Sequence, residues 1–390
     1  MSPLVWDLAH VGNYEELWLL REVAGAPAID ASLDDMYDAF RHPRPNRPAL
    51  PLLGPADARR YIGEVRGRVM DTLEVVELNG ERPLLAGGFV YGMVVQHEHQ
   101  HDETMLATLQ LMGEPGYRPL APAPPSGWPV AGEVEVPAGP FVMGTDDEAW
   151  AYDNERPAHV VDLAAFRIDA APVSNAQYAE FIAAGGYDER RWWTEDGWAW
   201  REKAGLGAPE FWRAEGGGCW SRLRFGWRED LTLDEPVQHV CWYEADAYAR
   251  WAGKRLPTEA EWEKAASWSP EGVKRPWPWG DGVVDGRANL GGSMFRPAPV
   301  GAYPSGISAY GCHQMIGDVW EWTSSDFSPY PGFVSFPYRE YSEVFFGSGY
   351  KVLRGGSWAA SPLAVRTTFR NWDYPIRRQI FAGFRCARDA

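Results

Sequence analysis

The chain carries three histidines whose spacing suits a metal site. His97 and His101 stand four residues apart in the string Gln96–Glu103, and on a helix this spacing places them about 40° apart on one face. His10 falls on the expected core side of the first helix. Imidazoles turned into a helical core are costly unless they are hydrogen-bonded or bound to metal, and three of them from two helices leave open positions on a metal ion. These residues therefore predict a three-histidine metal centre.

The same helical count assigns the neighbouring residues to faces. His99 is directed away from the histidine pair, whereas Gln100 lies about 60° to one side of His97, within reach of a site beside the metal. Three apolar residues share the sector of the histidine pair, which we expect to face the core: Val94, Met105 and Met112.

Two other interpretations of this string stay open. His97 and His101 could be hydrogen-bonded core residues without a metal. The string also matches the His-Glu-x-x-His pattern of zinc peptidases, with Glu98 as the base, although the helical setting and the upstream third histidine weaken that match. The other histidines lack such partners, and we expect structural or surface roles for His42, His159, His239 and His313.

The elements that must position these residues form an α+β chain of two domains. Proline and glycine are concentrated in residues 115–132, which we read as a linker between a helical domain at 1–114 and a second domain at 133–390. Only Trp6 and Trp18 of the 21 tryptophans precede this linker. The change in composition supports a change in architecture at that point.

Periodicity and end signals predict the elements of each domain. In the first domain they predict a bundle of helices over residues 3–22, 33–40, 55–76 and from 84 or 89 to 112. In the second they predict helices over 174–184 and 241–252, and a helix through 266 that the Thr258 capping box begins. Short strands are expected among Gly, Pro and Asn turns at Glu133–Val136, His159–Leu163 and Tyr350–Arg354.

The composition excludes several classes of function. With a net charge of −17 and no basic cluster, a nucleic acid or an anionic membrane is not an expected partner. No apolar run is long enough to span a membrane, and the N-terminus lacks the pattern of a signal peptide. The 4 widely spaced cysteines form neither a disulfide framework nor a metal clip. We therefore expect a cytoplasmic enzyme, and a monomer is compatible with the sequence.

Both halves of the chain resemble known families. The first 112 residues, with Leu8–His10 and the 97–103 string, resemble the DinB-like metal-binding bundle. The region from about 135 to the end resembles the formylglycine-generating-enzyme-like domain, a variant of the C-type lectin fold. The strings that carry this second likeness are Pro137–Gly144, Arg255–Glu263, Gly317–Thr323, Arg354–Trp358 and Gly383–Ala387.

The pairing of the two domains in this order is similar to the ergothioneine-pathway sulfoxide synthases. His42–Arg47 and Phe369–Asp373 resemble the type that uses γ-glutamylcysteine. The resemblance implies a non-haem iron(II) enzyme that uses O2 to join this thiol to the imidazole C2 of hercynine (Nα-trimethylhistidine). The implied product is a γ-glutamyl-hercynylcysteine sulfoxide.

The resemblance also implies a role for individual residues. The implied iron ligands are His10, His97 and His101. Arg44 and Arg47 would hold the carboxylates of the thiol substrate, and Asp373 its ammonium group. The residues implied for hercynine are Gln100, Tyr341, Asn371 and Trp372, and Tyr338 is implied beside the oxygen site. Arginine forks suit carboxylates, and aromatic faces suit a quaternary ammonium that cannot donate a hydrogen bond.

The chain departs from these families at two points. Because the first implied ligand stands at position 10, the helix that precedes it in the family is absent or begins before Met1. Formylglycine-generating enzymes use a cysteine pair near Cys386, but the position five residues upstream is Phe381. Copper-dependent sulfatase-activating chemistry is therefore not expected.

Other functions remain as alternatives. A related synthase could use cysteine or a selenium donor, although Arg44, Arg47 and Asp373 favour γ-glutamylcysteine. An ovothiol synthase would add a methyltransferase domain, which is not expected of a chain ending at Ala390. A non-catalytic lectin-like module on an inert bundle would bind no metal.

Overall fold

The computed structural model describes residues 1–78, 82–114, 116–121, 129–282, 284–347 and 349–390. The fold class is α+β, as predicted, with a helical N-terminal region followed by a region of short sheets and helices. The chain forms two compact units: unit 1 contains residues 1–112 with 147–151, and unit 2 contains 113–146 with 152–390. Part of the expected linker, at 115 and 122–128, lies outside the described residues. The domain limits 1–114, 115–132 and 133–390 stay predictions.

Unit 1 is helical in its described part. Its α-helices are α1 (Leu4–Glu15), α2 (Ser32–Met36), α3 (Pro55–Leu73) and α4 (Phe89–Met112), with a π-helical segment at Glu16–Val23 and 3-10 helices at Arg44–Ala49 and Pro83–Gly88. Pro55 begins α3, where a missing N–H costs nothing. Gly12 allows α1 to approach α3 closely, because a Cβ at that position would come within 2.7 Å of Ile62.

Several details of the predicted helices differ from the structure. The helices predicted over 33–40 and 55–76 end earlier, at Met36 and Leu73. The first helix is not α-helical over 3–22, because it widens into π-helical geometry after Glu15. The expected core position of Met112 is wrong: its side chain is 53% exposed, whereas Val94 is buried and Met105 is partly buried. Leu111 is exposed as well, whereas Gln110 in the same turn is buried, so one side of the last turn of α4 lies outside the core.

In its described residues, unit 2 combines helices with four small sheets. Its helices are α5 (Asn175–Ala183), α6 (Glu195–Ala204), α7 (Trp242–Trp251) and α8 (Glu259–Ser267). Its strands are β1 (Glu133–Val136), β2 (Gly139–Met143), β3 (His159–Leu163), β4 (Phe166–Asp169), β5 (Trp212–Gly216), β6 (Cys219–Arg224), β7 (Trp227–Asp230), β8 (Trp320–Asp326), β9 (Lys351–Arg354), β10 (Asn371–Asp373), β11 (Ala382–Gly383) and β12 (Ala387–Asp389).

The strand order in the sheets is β1-β4-β12, β10-β9-β8-β11, β2-β3 and β5-β6-β7. All neighbouring strands are antiparallel except β11, which runs parallel to β8. The predicted strands at 133–136 and 159–163 have the expected bounds, and the third begins at Lys351, one residue late. The Thr258 capping box is present, with Thr258 Oγ1 accepting from the amide of Glu261. Helix α6 and the β5–β7 sheet were not predicted.

Buried ion pairs brace the core of unit 2. Arg354 is fully buried and donates to Glu259 at 2.8 Å and to Glu263 at 2.7 Å. Burial alone would raise the pKa of Glu263, but the charges of Lys274 and Arg354 outweigh it and lower the pKa to about 2. This core holds β9 rigidly, and β9 pairs with the strand that carries Trp372. Among the described helices of both units, none has the length and apolar character needed to cross a membrane.

Candidate functional site

The three predicted histidines lie together in unit 1. One ring nitrogen from each of His10, His97 and His101 can be chosen so that all three lie within 4.8 Å of one another. The ring centroids are 4.6 to 5.1 Å apart, and the rings are tilted by 51 to 60° rather than stacked. Helix α1 supplies the first ring and one face of α4 supplies the other two, as the helical spacing predicted. Within the described residues this is the one His, Cys, Asp or Glu group compact enough to hold a metal ion.

Two of the three rings are fixed by a hydrogen bond at Nδ1. Nδ1 of His10 is 2.7 Å from the peptide oxygen of Tyr37, and Nδ1 of His101 is 3.0 Å from Oδ1 of Asp7. An oxygen acceptor keeps the proton on Nδ1, which leaves Nε2 as a neutral donor atom. Both contacts therefore select the tautomer that binds metal.

The burial of the histidines fits a metal ion. Burial lowers the pKa values of His10 and His97 well below their ordinary range, and the neighbouring His101 lowers them further. These two rings are therefore neutral and able to coordinate. Nδ1 of His97 is buried without a hydrogen-bond partner among the described residues, although an unpaired polar atom in a core is costly. The His97 ring itself stacks on Tyr14 at 3.7 Å.

The carboxylate of Glu98 has a different partner. It accepts a hydrogen bond from Arg66 at 2.8 Å, and the same guanidinium pairs with buried Glu15 at 2.7 Å. In a zinc peptidase the corresponding carboxylate must be free to take a proton from water. This ion pair therefore disfavours the peptidase interpretation.

Arg47 belongs to the same part of unit 1 as the histidines. Its guanidinium carbon lies 3.5 Å from the ring centroid of Trp6, and Trp6 stacks on His10 at 4.6 Å. The guanidinium also donates to the peptide oxygens of His42 and Ala39, at 2.9 and 3.3 Å, and to Ser2 at 2.6 Å. Arg47 is thus buried and held in place.

Arg44 stands one turn before Arg47 in the 3-10 helix and is only half-buried. Burial and the positive charge of Arg44 together lower the pKa of Arg47 to about 10. Two like charges this close favour the binding of an anion. Gln100 lies on α4 and is partly buried.

The predicted residues of unit 2 form an aromatic group of their own. The ring of Trp372 stacks on Phe327 at 4.1 Å and meets Tyr341 edge to face at 5.8 Å. Tyr341 in turn stacks on Tyr152 at 4.0 Å and lies 6.3 Å from the ring of Tyr338. The structure thus brings together the three aromatic residues implied by the resemblance.

Asn371 and Asp373 flank Trp372 on β10. The side-chain oxygen of Asn371 accepts from the amide of Trp372 at 2.9 Å. The carboxylate of Asp373 accepts from the amide of Tyr374 at 2.8 Å and from Arg377 at 3.1 Å. Asp373 therefore already has a cationic partner, and a substrate ammonium group would share that carboxylate.

Several contacts were missed at the sequence level. Asp7 is one helical turn before His10, so the same-face rule that selected His10 also selects Asp7. Trp6 and Tyr14 supply the rings that stack on His10 and His97, and no pattern in the sequence distinguishes them from ordinary core aromatics. Tyr152 stacks on Tyr341, and Phe327 stacks on Trp372. In each pair the two residues are distant in sequence, so spacing could not reveal the contact.

Comparison with known proteins divides the chain into the same helical and mixed parts. Residues 1–105 match the DinB superfamily, and residues 119–390 match the sulfatase-modifying factor enzyme 1-like domain. The chain is 56% identical to a hercynine oxygenase of Mycolicibacterium thermoresistibile, over 100% of this chain and 88% of that protein. It is 54% identical to a hercynine oxygenase of Mycobacterium tuberculosis, over 100% of this chain and 91% of the relative. A formylglycine-generating enzyme of Streptomyces coelicolor is 37% identical, over 66% of this chain and 90% of its own length.

Proposed function

The chain belongs to the hercynine oxygenase family, and from that premise we propose an iron(II)- and O2-dependent sulfoxide synthase of ergothioneine biosynthesis. It joins the sulfur of γ-glutamylcysteine to C2 of the hercynine imidazole. The S–H and C2–H bonds break, a C–S bond forms, and one oxygen atom of O2 ends on sulfur. The other oxygen leaves as water with the two hydrogens, so the four electrons lost by the substrates reduce one O2.

The observation that carries this proposal is the compact group of His10, His97 and His101. Three imidazole nitrogens suit a ferrous ion and leave positions for substrates. When bound, iron would supply the redox chemistry of O2 and would lower the pKa of a coordinating thiol. The protein's own part is to keep His10 and His97 neutral by burial and to orient His10 and His101 through Tyr37 and Asp7.

The thiol substrate carries two carboxylates and an ammonium group. We assign the carboxylates to Arg44 and Arg47, whose paired positive charge favours an anion. Arg44 is partly exposed and can turn to the substrate, whereas Arg47 is held by Trp6 and by backbone oxygens. Asp373 is assigned to the ammonium group.

Hercynine carries a quaternary ammonium, an imidazole and a carboxylate. We assign its cationic group to Trp372 and Tyr341, because aromatic faces attract a cation that cannot donate a hydrogen bond. Phe327 covers one face of Trp372, so a cation would use the opposite face. Gln100 and Asn371 are assigned as polar contacts to the same substrate. Tyr338 is the proposed proton or hydrogen-bond donor while O2 is reduced.

A direct test is to load the purified protein with Fe2+ without oxygen and then follow O2 consumption with hercynine and each candidate thiol. We expect turnover with γ-glutamylcysteine, and one 18O atom in the sulfoxide when 18O2 is used. A preference for cysteine or a selenium donor would overturn the thiol assignment and leave the metal centre standing. No O2 consumption with any of these substrates would overturn the function.

Two variants separate the remaining alternatives. His97→Ala should lose both iron and turnover, whereas a lectin-like module would keep its ligand binding and would never have held iron. Glu98→Gln should keep most of the O2-dependent turnover, because Glu98 pairs with Arg66. A peptidase would instead lose about 10²-fold or more in rate with its general base.

A further inference from the structure

One carboxylate in unit 2 holds both ends of the segment that carries Tyr338 and Tyr341. Oδ2 of Asp153 accepts a hydrogen bond from the amide of Phe336 at 3.2 Å, and its Oδ1 accepts one from the hydroxyl of Ser342. Asp153 is 3% exposed and Ser342 is fully buried. The five residues between these two contacts include Tyr338 and Tyr341, so Asp153 closes this segment, 336–342, which we call the tyrosine loop.

The neighbours of Asp153 reach the same loop. The side-chain amide of Asn154 donates to the hydroxyl of Ser342 at 3.0 Å. The ring of Tyr152 stacks on Tyr341 at 4.0 Å with an interplanar angle of 17°. Three consecutive residues of the turn at 152–155 therefore contact the tyrosine loop, two through hydrogen bonds and one through its ring.

The turn itself is fixed in the core of unit 2. Glu155 is fully buried and accepts from Arg366 at 2.6 and 2.8 Å and from Thr368 at 2.6 Å. The peptide oxygen of Asn154 accepts from Arg370 at 2.8 Å. A loop that is tied to a rigid element loses less conformational freedom when it must hold a side chain in one place. Because the turn at 152–155 is fixed in the core, its contacts can restrict the motion of the tyrosine loop.

We propose that Asp153 is a positioning residue that holds the tyrosine loop, and through it Tyr338 and Tyr341, in the geometry that the reaction uses. The roles of these two tyrosines rest on the proposed function, whereas the contacts of Asp153 do not. Asp153 touches neither substrate nor metal in this assignment. Burial raises the pKa of Asp153 to about 6, so the carboxylate is ionised at pH 7.5 and can accept both hydrogen bonds.

The test compares Asp153→Asn with a matched control, Asp318→Asn. Asp318 is a fully buried acid of the same unit whose pKa burial also raises to about 6, and its partners Asn289, Gln314 and Ala298 lie outside the loop. Amide hydrogen exchange of the iron-loaded protein at pH 7.5 would be read by mass spectrometry. We expect exchange in peptides covering the tyrosine loop to quicken at least about 10-fold in Asp153→Asn, and in Asp318→Asn by less than about 2-fold.

Ser342→Ala gives a second and milder variant, because it removes only the hydroxyl that Asp153 binds. It should quicken exchange in the same peptides. The double variant should exceed Asp153→Asn by little, since both changes break the same contact between Asp153 and Ser342 and only the hydrogen bond from Asn154 is lost in addition. Unchanged loop exchange in both single variants would overturn the proposal. Equal quickening in Asp318→Asn would also overturn it, because the effect would then be a general loss of stability.

Turnover separates this proposal from the function on which it rests. With iron content unchanged, Asp153→Asn should raise the KM for hercynine and increase oxidised thiol relative to the C–S product, while Asp318→Asn changes neither. Faster loop exchange with unaltered KM and product ratio would support the role of Asp153 and contradict the assignment of Tyr338 and Tyr341. Unaltered loop exchange with an altered product ratio would contradict the positioning role alone.

Discussion

The carboxylate of Asp7 accepts a hydrogen bond from Nδ1 of His101 at 3.0 Å, although 94 residues separate them in the chain. Asp7 lies on α1 one turn before His10, so a single helix supplies one candidate ligand and orients another that belongs to α4. Asp7 is 1% exposed, and its second oxygen has no partner among the described residues. A buried carboxylate in this position fits an orienting group for a cationic centre.

Asp7→Asn should weaken metal binding by about 10- to 100-fold, because a neutral amide orients His101 less well and makes its ring a poorer donor. Equilibrium dialysis of Fe2+ without oxygen would measure the affinity. Asp34→Asn is the control, since Asp34 also accepts side-chain hydrogen bonds in unit 1, from Arg21 and Asn13, but none from a histidine. Equal affinity of Asp7→Asn and the unaltered protein would remove Asp7 from the site.

The sequence predicted what depends on local spacing. His97 and His101 share a face because a helix repeats every 3.6 residues, and His10 was found by the same rule. The contacts of Arg47 were not predictable, because two of them are to peptide oxygens whose positions depend on the chain path through residues 39–42. The widening of the first helix after Glu15 also leaves no mark on apolar periodicity.

Contacts between residues far apart in the chain were also not predictable from the sequence. Asp153 and Ser342 are 189 residues apart, and nothing in either neighbourhood specifies the contact. Tyr338, Tyr341 and Trp372 entered through the resemblance rather than through any spacing. The strings that carried the resemblance lie largely in the core of unit 2, where Glu259, Glu263 and Arg354 form buried ion pairs. The resemblance to the family therefore predicted the fold of unit 2 more directly than the positions of its loop residues.

Arg44 and Arg47 should respond differently to substitution. Arg44→Met should raise the KM for γ-glutamylcysteine about 10- to 100-fold, the loss expected for one hydrogen bond between charged groups, and should leave thermal stability unchanged. Arg47→Met should raise the same KM and also destabilise the fold by about 1–3 kcal/mol, because it removes buried hydrogen bonds and the stacking on Trp6. Steady-state kinetics and thermal unfolding would measure the two effects.

Arg41→Met is the control for this pair, since Arg41 is exposed, lies in the same segment and pairs with Asp35 and Asp38. It should leave the KM for γ-glutamylcysteine, the KM for hercynine and the thermal stability nearly unchanged. If Arg41→Met raised the KM for the thiol as much as Arg44→Met, the increase would reflect the loss of any positive charge in this segment rather than a contact of Arg44 with the substrate. An unchanged KM in Arg44→Met would contradict its assignment to a carboxylate.

Tyr338→Phe should divert the reaction rather than stop it. The ring is kept and only the hydroxyl is lost, so substrates still bind, but the proton or hydrogen bond needed for C–S bond formation is missing. We expect the ratio of C–S product to oxidised thiol to fall about 10-fold or more, as measured by mass spectrometry of the products. Tyr310→Phe, in the same unit and outside the tyrosine loop, should leave the ratio as it was. An unchanged ratio in Tyr338→Phe would remove this residue from the mechanism.

The stability of unit 2 should depend on pH through Asp318. Burial raises its pKa from 3.8 to about 6 in the folded protein, so between these values the folded state holds a proton that the unfolded state releases. The contribution of Asp318 to the free energy of unfolding is therefore full below pH 4 and is lost as the pH rises through about 6, by at most about 3 kcal/mol. Asp318→Asn has no proton to lose, so its stability relative to the unaltered protein should improve across the same range. Urea unfolding followed by tryptophan fluorescence reports mainly on unit 2, and a difference that stays constant from pH 4.5 to 7.5 would contradict this account.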